Sequence, residues 1–444
     1  MKLHRLVLAG ALLASIWPAH AATLVVNDLG DAGPGNCATT CTLRDAIANA
    51  APDDVVTFAS TLNYPATITL AGHELLVYKN LTILGPGASL LRVSGNSASR
   101  LFEIAANASV SISGLTLTSG VVSGVAGGTD AQGNGLPGGP GVGGAVLVNA
   151  GSTLQIVACV LRNNTAQGGV GGLAFPGGIG GSGGPARGGA IASAGILQIV
   201  DTTLVGNRAE GGWSSPPVPE ASGGAGGDAQ GGAIHATGLT EVSNSQFLNN
   251  QALGGLGGDG FGTASGDGGF ARGGAVATSG FIVLAFVSAV GNSAIPGLAG
   301  LGTPPGGYGS AAGSDLYSTA TVLSRYSALT STTAGTVDGT IAACSMTASV
   351  TQGANLDADG SCPNFSLHGN DKLQIITNGG ATFAYPRWGS PLIDAAADCK
   401  DAFGTTVLAD VRGGMRPLDA NADGIASCDI GAVESDELFA NDFE

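Results

Sequence analysis

Charge is scarce in this chain. Only 11% of its 444 residues are Asp, Glu, Lys or Arg, 5% are aromatic, and no lysine occurs between Lys79 and Lys372. The 32 acids outnumber the 16 bases, for a formal charge of −16. That balance argues against a nucleic-acid binder, which needs a basic patch to displace counterions. After the first residues no run of 18 apolar residues occurs, so the mature chain carries no spanning helix. No C-x-x-C pair is present, which disfavours a metal site built on cysteine. Glycine is what abounds: 77 Gly and 19 Pro accompany 44% apolar residues. The apolar residues are Ala, Val, Leu and Ile in short runs broken by glycine, a pattern that suits strands and turns.

The first 21 residues hold Lys2, His4 and Arg5, an apolar stretch over 6–17, then Pro18 and Ala19-His20-Ala21. A basic start, a short apolar centre and an A-x-A end read as a secretory signal cleaved after Ala21; a membrane anchor is disfavoured by length. Seven cysteines remain in the exported part, where disulfides persist. Six lie in near pairs, Cys37 with Cys41, Cys344 with Cys362 and Cys399 with Cys428, although connectivity is not fixed by sequence. Cys159 stands alone in an apolar strand and reads as a small buried hydrophobe.

Self-similarity organises the middle of the chain. Gly143-Gly144-Ala145-Val146, Gly188-Gly189-Ala190-Ile191, Gly231-Gly232-Ala233-Ile234 and Gly273-Gly274-Ala275-Val276 are followed by Asn164, Asn207, Asn250 and Asn292. Each unit opens on three short apolar stretches, too little to form a sheet alone. Stacked strand on like strand, about 4.8 Å apart, such units share one interior: a parallel β-helix. The recurring Asn reads as structural, a turn residue tolerating left-handed torsions whose amides hydrogen-bond along the axis. Chemistry needs one site, whereas a scaffold needs many copies.

The second half of each unit is glycine-rich; 12 of the 23 residues in 167–189 are Gly. Two readings stay open, flexible loops or tight extra coils built on close backbone approach. Phe175, Trp213, Phe261 and Tyr308 place one aromatic in each such stretch, either to meet a sugar or partner or to pin the loop to the body.

An open β-helix end needs a cap. Thr42 and Asp45 form a capping-box pattern ahead of Leu43 and Ile47, so a short helix is expected over the first coil. The stretch from Cys37 through Cys41-Thr42-Leu43-Arg44-Asp45-Ala46 resembles the CSLREA motif of exported bacterial β-helix proteins. The G-G-A-[ILV] element with Phe247-Leu248-Asn249-Asn250 is similar to the repeats of polymorphic outer membrane proteins. Toward the end, the run from Asn355 to Cys362, Gly389-Ser390-Pro391-Leu392-Ile393-Asp394, Asp410-Val411-Arg412-Gly413, Arg416-Pro417 and Cys428-Asp429-Ile430-Gly431-Ala432-Val433-Glu434 resembles choice-of-anchor domains of the Q type. The resemblance implies an exported, surface-associated, right-handed β-helix of a Gram-negative bacterium and implies no defined catalytic activity.

The expected fold is all-β: a single right-handed parallel β-helix, or solenoid, with a short N-terminal capping helix, Gly-rich loop insertions and a disulfide-stapled C-terminal region. Its expected parts are a signal peptide (1–21), a cap (22–60), the β-helix (61–330, with the repeats in 143–294), a choice-of-anchor-like region (331–434) and an acidic tail that is a sorting signal or a frayed end (435–444). No translocating barrel fits in the residues after Glu434. Asp419, Asn421 and Asp423 match the first half of a calcium loop, but the twelfth position is Ile430, so calcium is the one cofactor weighed. Asp201, Glu210 and His235 are the scattered titratable candidates, and Arg162, Arg187, Arg208 and Arg272 the scattered cations; none forms a recognisable lyase or hydrolase motif.

The leading expectation is therefore a non-enzymatic, monomeric cell-surface or extracellular protein with an adhesive or structural role, whose partner is a surface glycan, matrix or envelope component. The alternative is a secreted polysaccharide lyase or glycoside hydrolase. A passenger awaiting a separate outer-membrane partner is a third possibility.

Overall fold

Alternation of buried and exposed residues decides what faces inward. In the strand Leu91–Ser94, Leu91 and Val93 are buried while Arg92 points to solvent. The same period of two runs through Ala66–Thr69 and Leu81–Leu84. The computed structural model describes residues 21–331, 333–334, 340–369, 371–378, 381–421 and 423–436. The expected signal sequence, save Ala21, and most of the acidic tail lie outside them.

Three strands per turn stack in register into three parallel faces. The first runs Thr23–Val26, Asp54–Phe58, Leu81–Leu84, Ser109–Ser113, Thr153–Val157, Ile196–Val200 and on into Thr240–Leu248. The second runs Ala66–Thr69, Leu91–Ser94, Thr116–Thr118, Val160–Arg162, Thr203–Val205 and the latter half of Thr240–Leu248. The third runs Leu75–Val77, Phe102–Ile104, Val146–Val148, Ile191–Ser193, Ile234–Ala236 and Val276–Thr278. Between the faces lies one continuous core of Leu, Ile, Val and Phe. The fold is a right-handed parallel β-helix. Its ladder starts at Thr23 and continues through Leu316–Arg325, Cys344–Gln352, Leu356–Asp357 and Leu367–His368, so the stack overruns the expected 61–330 at both ends.

The G-G-A element is a corner. Its first Gly takes a left-handed φ of 63° to 68° in all four copies. Its second packs against the next coil: a Cβ on Gly189 would lie 2.1 Å from the Gly232 carbonyl oxygen. The Ala that follows is sealed in the core.

The recurrent Asn sits beside that corner, where the glycine-rich segment leaves the second face, and here the expected backbone role is corrected. The left-handed residue is the one before it, Asn163, Gly206, Asn249 or Gly291. That tight turn aims the next side chain inward, so Asn164, Asn207, Asn250 and Asn292 are at most 2% exposed. Each amide donates to the amide oxygen of the next coil, Asn164 to Asn207, Asn207 to Asn250 and Asn250 to Asn292, all at 2.9 Å. Each also donates to a carbonyl on the preceding coil, such as Leu161 O from Asn207. The last amide, Asn292, donates to Asp315 Oδ1 at 2.9 Å. Asp315 occupies the place of Ala275 in the next G-G-A register, so a buried carboxyl group ends the amide chain.

The glycine-rich segments are ordered rods. Gly168 and Gly171 donate to Glu210 O and Trp213 O of the next coil, and Gly211 and Ser214 to Leu253 O and Leu256 O, a repeat of three residues. Burial follows the same beat: in 168–173 and 211–216 two buried residues precede each exposed one. Three residues per turn without internal hydrogen bonds is polyproline II geometry. Outgoing and returning legs form two layers laced by Gly184 N to Gly169 O, Gly212 N to Gly184 O, Gly227 N to Gly212 O and Gly255 N to Gly227 O. A Cβ on Gly184, Gly212 or Gly227 would lie 2.0 Å from a neighbouring carbonyl oxygen, so only glycine fits.

The front is closed by the helix Leu43–Asn49, whose N-cap Thr42 and Asp45 form a capping box and whose Leu43 and Ile47 are buried. Disulfides join Cys37 to Cys41, Cys344 to Cys362 and Cys399 to Cys428. The C-terminal region folds back along the body. Its hairpin, Leu373–Asn378 with Ala381–Pro386, reaches the second face, where Ala384 N–H donates to Gln246 Oε1 (2.6 Å). Asn244 Nδ2 donates to Ala409 O (2.9 Å), and the Arg416 guanidinium lies over the Phe286 ring.

Candidate functional site

That fold-back leaves a cleft of about 500 Å³ between the second face and the C-terminal region. Its floor is made of the outward positions of neighbouring coils: Arg92, Thr116, Val160 with Arg162, and Thr203 with Val205. Its wall is Ala381, Thr382 and Phe383 of the hairpin with the loop 409–413. Asp201 closes one side from the left-handed corner between the first and second faces.

The charged groups of the cleft differ in how far they are engaged. Asp410 is buried and accepts from the amides of Arg412, Gly414 and Glu434 and from Arg412 Nε, so both its oxygens are occupied. Asp201 accepts one bond from Asn244 Nδ2 (2.6 Å). Burial pushes its carboxyl above the usual range against the pull of that bond, and the nearby Asp410 charge adds to the rise. Arg92 and Arg162 make no ion pair or side-chain hydrogen bond with a described residue. By contrast Arg44, Arg100, Arg325, Arg412 and Arg416 are each paired with a carboxylate.

Chemically, the cleft offers two unengaged cations, threonine hydroxyls and one carboxyl group shifted toward neutrality. It does not offer the pair of free carboxylates on which most glycoside hydrolases rely.

The titratable residues singled out from sequence are not brought together. Glu210 pairs with Arg208 at 3.3 Å beside the glycine-rich rods, whereas Asp201 borders the cleft. His235 lies on the third face, where burial and the Arg187 charge push its pKa down to about 4, leaving it neutral. Arg272 lies between the rings of Phe270 and Tyr317. Burial holds the Cys159 thiol up at about 12, the behaviour of an inert core residue. Phe175, Trp213, Phe261 and Tyr308 are exposed on the rods rather than pinned against the body.

The loop weighed for calcium is closed by bonds from its own amides. Both oxygens of Asp419 accept from the amides of Asp423 and Gly424, Asn421 Oδ1 accepts from Asp423 N, and Asp423 Oδ1 accepts from Ile425 N. These are Asx-type turns that satisfy the loop itself. Among the described residues no group of three or more His, Cys, Asp or Glu converges on a metal position.

Sequence reasoning missed Arg92, Thr116, Thr203 and Phe383 and left Arg162 as a scattered cation. The usable signal was the period of two, which places Arg92 and Arg162 on the outside of second-face strands. No local pattern announced that the C-terminal region would cover that face.

No family model matches this chain, and no curated protein matches it. Solved structures with similar folds include jun a 1, the major allergen from cedar pollen, at 12% identity and a TM-score of 0.37, covering 84% of this chain and 87% of that one. The pectate lyase Pel9A shares 10% identity at a TM-score of 0.30, over 93% of this chain and 97% of its own. The PL6 family alginate lyase AlyGC shares 10% at a TM-score of 0.23, over 82% and 55% respectively. At these values they bear on neither site nor chemistry, and the fold stands on the strand register above.

Proposed function

We propose that this chain is an exported protein that holds a polysaccharide in the cleft along its second face and acts on it there. The observation that carries this reading is the cleft itself, a groove across several coils with a few charged and hydroxyl groups in an apolar lining and Asp201 at its edge, placed to exchange a proton with a bound sugar. Export is supported by the N-terminal pattern of residues 1–21 and by three disulfides. Incubation of the mature chain from Ala22 with uronate-containing and neutral glycans, with and without calcium, is the test. Shorter products that vanish in Asp201→Asn are expected; a panel left uncut by a folded protein would sink catalysis.

A second reading, adhesion without chemistry, is favoured by a separate feature. Val170, Trp213, Leu256 and Leu298 stand one per coil along the outgoing rods and remain 41% to 55% exposed. Contiguous exposed apolar rows are characteristic of interaction surfaces. In this reading the row, rather than the cleft, meets the surface, and envelope fractionation with and without residues 435–444 separates attachment from release. A Trp213→Ala, Leu256→Ala chain that attaches as well as wild type would count against it.

A further inference from the structure

We infer that the cleft is built for an anionic polysaccharide, whose acidic groups meet Arg92 and Arg162. This rests on the reading of the cleft as a polysaccharide site and adds the charge of the polymer.

The chain carries twice as many acids as bases, and six of its arginines are each held by a carboxylate. In such a background an unengaged guanidinium is conspicuous, and two of them line one groove. Arg92 is in register with Thr116 and Val160, and Arg162 with Thr118, so the two arginines stand two coils apart. At about 4.8 Å per coil, that is about 10 Å along the axis. A groove that runs along the coils with cations at two levels matches a linear polymer carrying acidic groups at intervals, rather than a single small anion. Thr116 and Thr203 lie between and beyond the arginines, nearly buried, the Thr116 hydroxyl donating to Ala88 O and the Thr203 hydroxyl accepting from Gln246 Nε2.

Guanidinium pairs with carboxylate or sulfate oxygens through two parallel N–H bonds, a geometry lysine cannot supply. A nucleic acid is the weaker match. Its phosphates would call for a continuous basic track, whereas Asp201 and Asp410 border this groove and the body is acidic.

The experiment is equilibrium binding of the mature chain to five polymers: polygalacturonate, its fully methyl-esterified form, dextran sulfate, uncharged dextran and a single-stranded DNA. Binding to polygalacturonate that weakens steeply between low and moderate salt, and at least tenfold weaker binding to the esterified form, are expected. Dextran sulfate binding as tightly as polygalacturonate would assign the site to sulfate as well as carboxylate. Arg92→Gln and Arg162→Gln should each weaken binding about tenfold; Arg272→Gln, away from the cleft, should not. Should either cleft variant fail to fold, the esterified comparison on the wild-type protein decides alone. Equal binding of charged and uncharged polymers, or tighter binding of a single-stranded DNA of equal charge, overturns the inference while leaving a polysaccharide or polymer cleft in place. Failure of every polymer to bind overturns the cleft reading with it.

Discussion

The three-faced body and the glycine-rich bundle are built by opposite means from one repeat. In the body, backbone bonds run along the axis and the space between faces is filled by Leu, Ile, Val and Phe. In the bundle, backbone bonds run both along the axis and between layers, and the interior holds almost no side chain. The first is held by apolar area removed from water. The second is held by satisfying its inward-facing amides at a packing distance that only glycine allows. The contrast predicts that the body is sensitive to losing atoms and the bundle to gaining them.

Gly212→Val should have the largest effect. Its Cβ would meet the Gly169 carbonyl oxygen at 2.0 Å, and backbone on both sides blocks relief. A loss above about 4 kcal/mol, or uncoupling of the bundle, is expected. Hydrogen exchange should show faster exchange in 168–184, 211–227 and 254–269 with the core strands still protected. Uniform acceleration would mean that the two regions are not separable.

Asn207→Ala strikes the body where polar atoms are buried. It leaves the amide of Asn164 without its acceptor and Leu161 O without its donor. At about 1 to 3 kcal/mol for each orphaned group, a loss of about 3 kcal/mol or more should appear in denaturant unfolding. A loss below about 1 kcal/mol would remove the ladder from the account.

The buried carboxyl at the end of that ladder supplies a pH test. Burial pushes Asp315 up to about 8, above the ordinary carboxylate range, against the opposing bonds from Ser331 and Asn292. The folded chain therefore binds a proton there that the unfolded chain releases near pH 4. Stability from this group is full below about pH 4 and is lost as pH rises to about 8. Asp315→Asn should flatten that part of the curve; an unchanged slope would place the titration elsewhere.

The smallest effect should come from the outer row. Trp213→Ala removes an exposed side chain and should change stability by no more than about 0.5 kcal/mol. A larger loss would mean that the rods rely on their side chains after all.

Much of the body was legible in the sequence. The spacing of G-G-A and of the Asn announced stacking, Thr42 and Asp45 announced the cap, and Leu154/Ile156 aligned with Leu197/Ile199 announced the register the strands adopt. The bundle was half legible. Its G-G-x beat is present in 168–173 and 180–185, but packing through backbone atoms leaves no apolar stripe to recognise. The cleft was hidden for a different reason. Arg92, Arg162, Asp201, Phe383 and Arg412 come from far apart in the chain, and the interaction that gathers them is the docking of 373–386 and 409–416 over the second face through Gln246, Asn244 and Phe286. Those anchors are one-off contacts without a repeat to reveal them.

The amide column has a direction, since each side chain gives one proton to the amide oxygen of the following coil and the other to a backbone carbonyl of the preceding coil. An additional copy of residues 189–231 spliced between two existing rungs would find an acceptor ahead and a donor behind, so the number of rungs is free to drift by duplication. The final rung is not free in this way. Its amide donates instead to Asp315 Oδ1 and Ser331 Oγ, and the acid that stands at 315, where the preceding coil carries Ala275, is what lets this column stop.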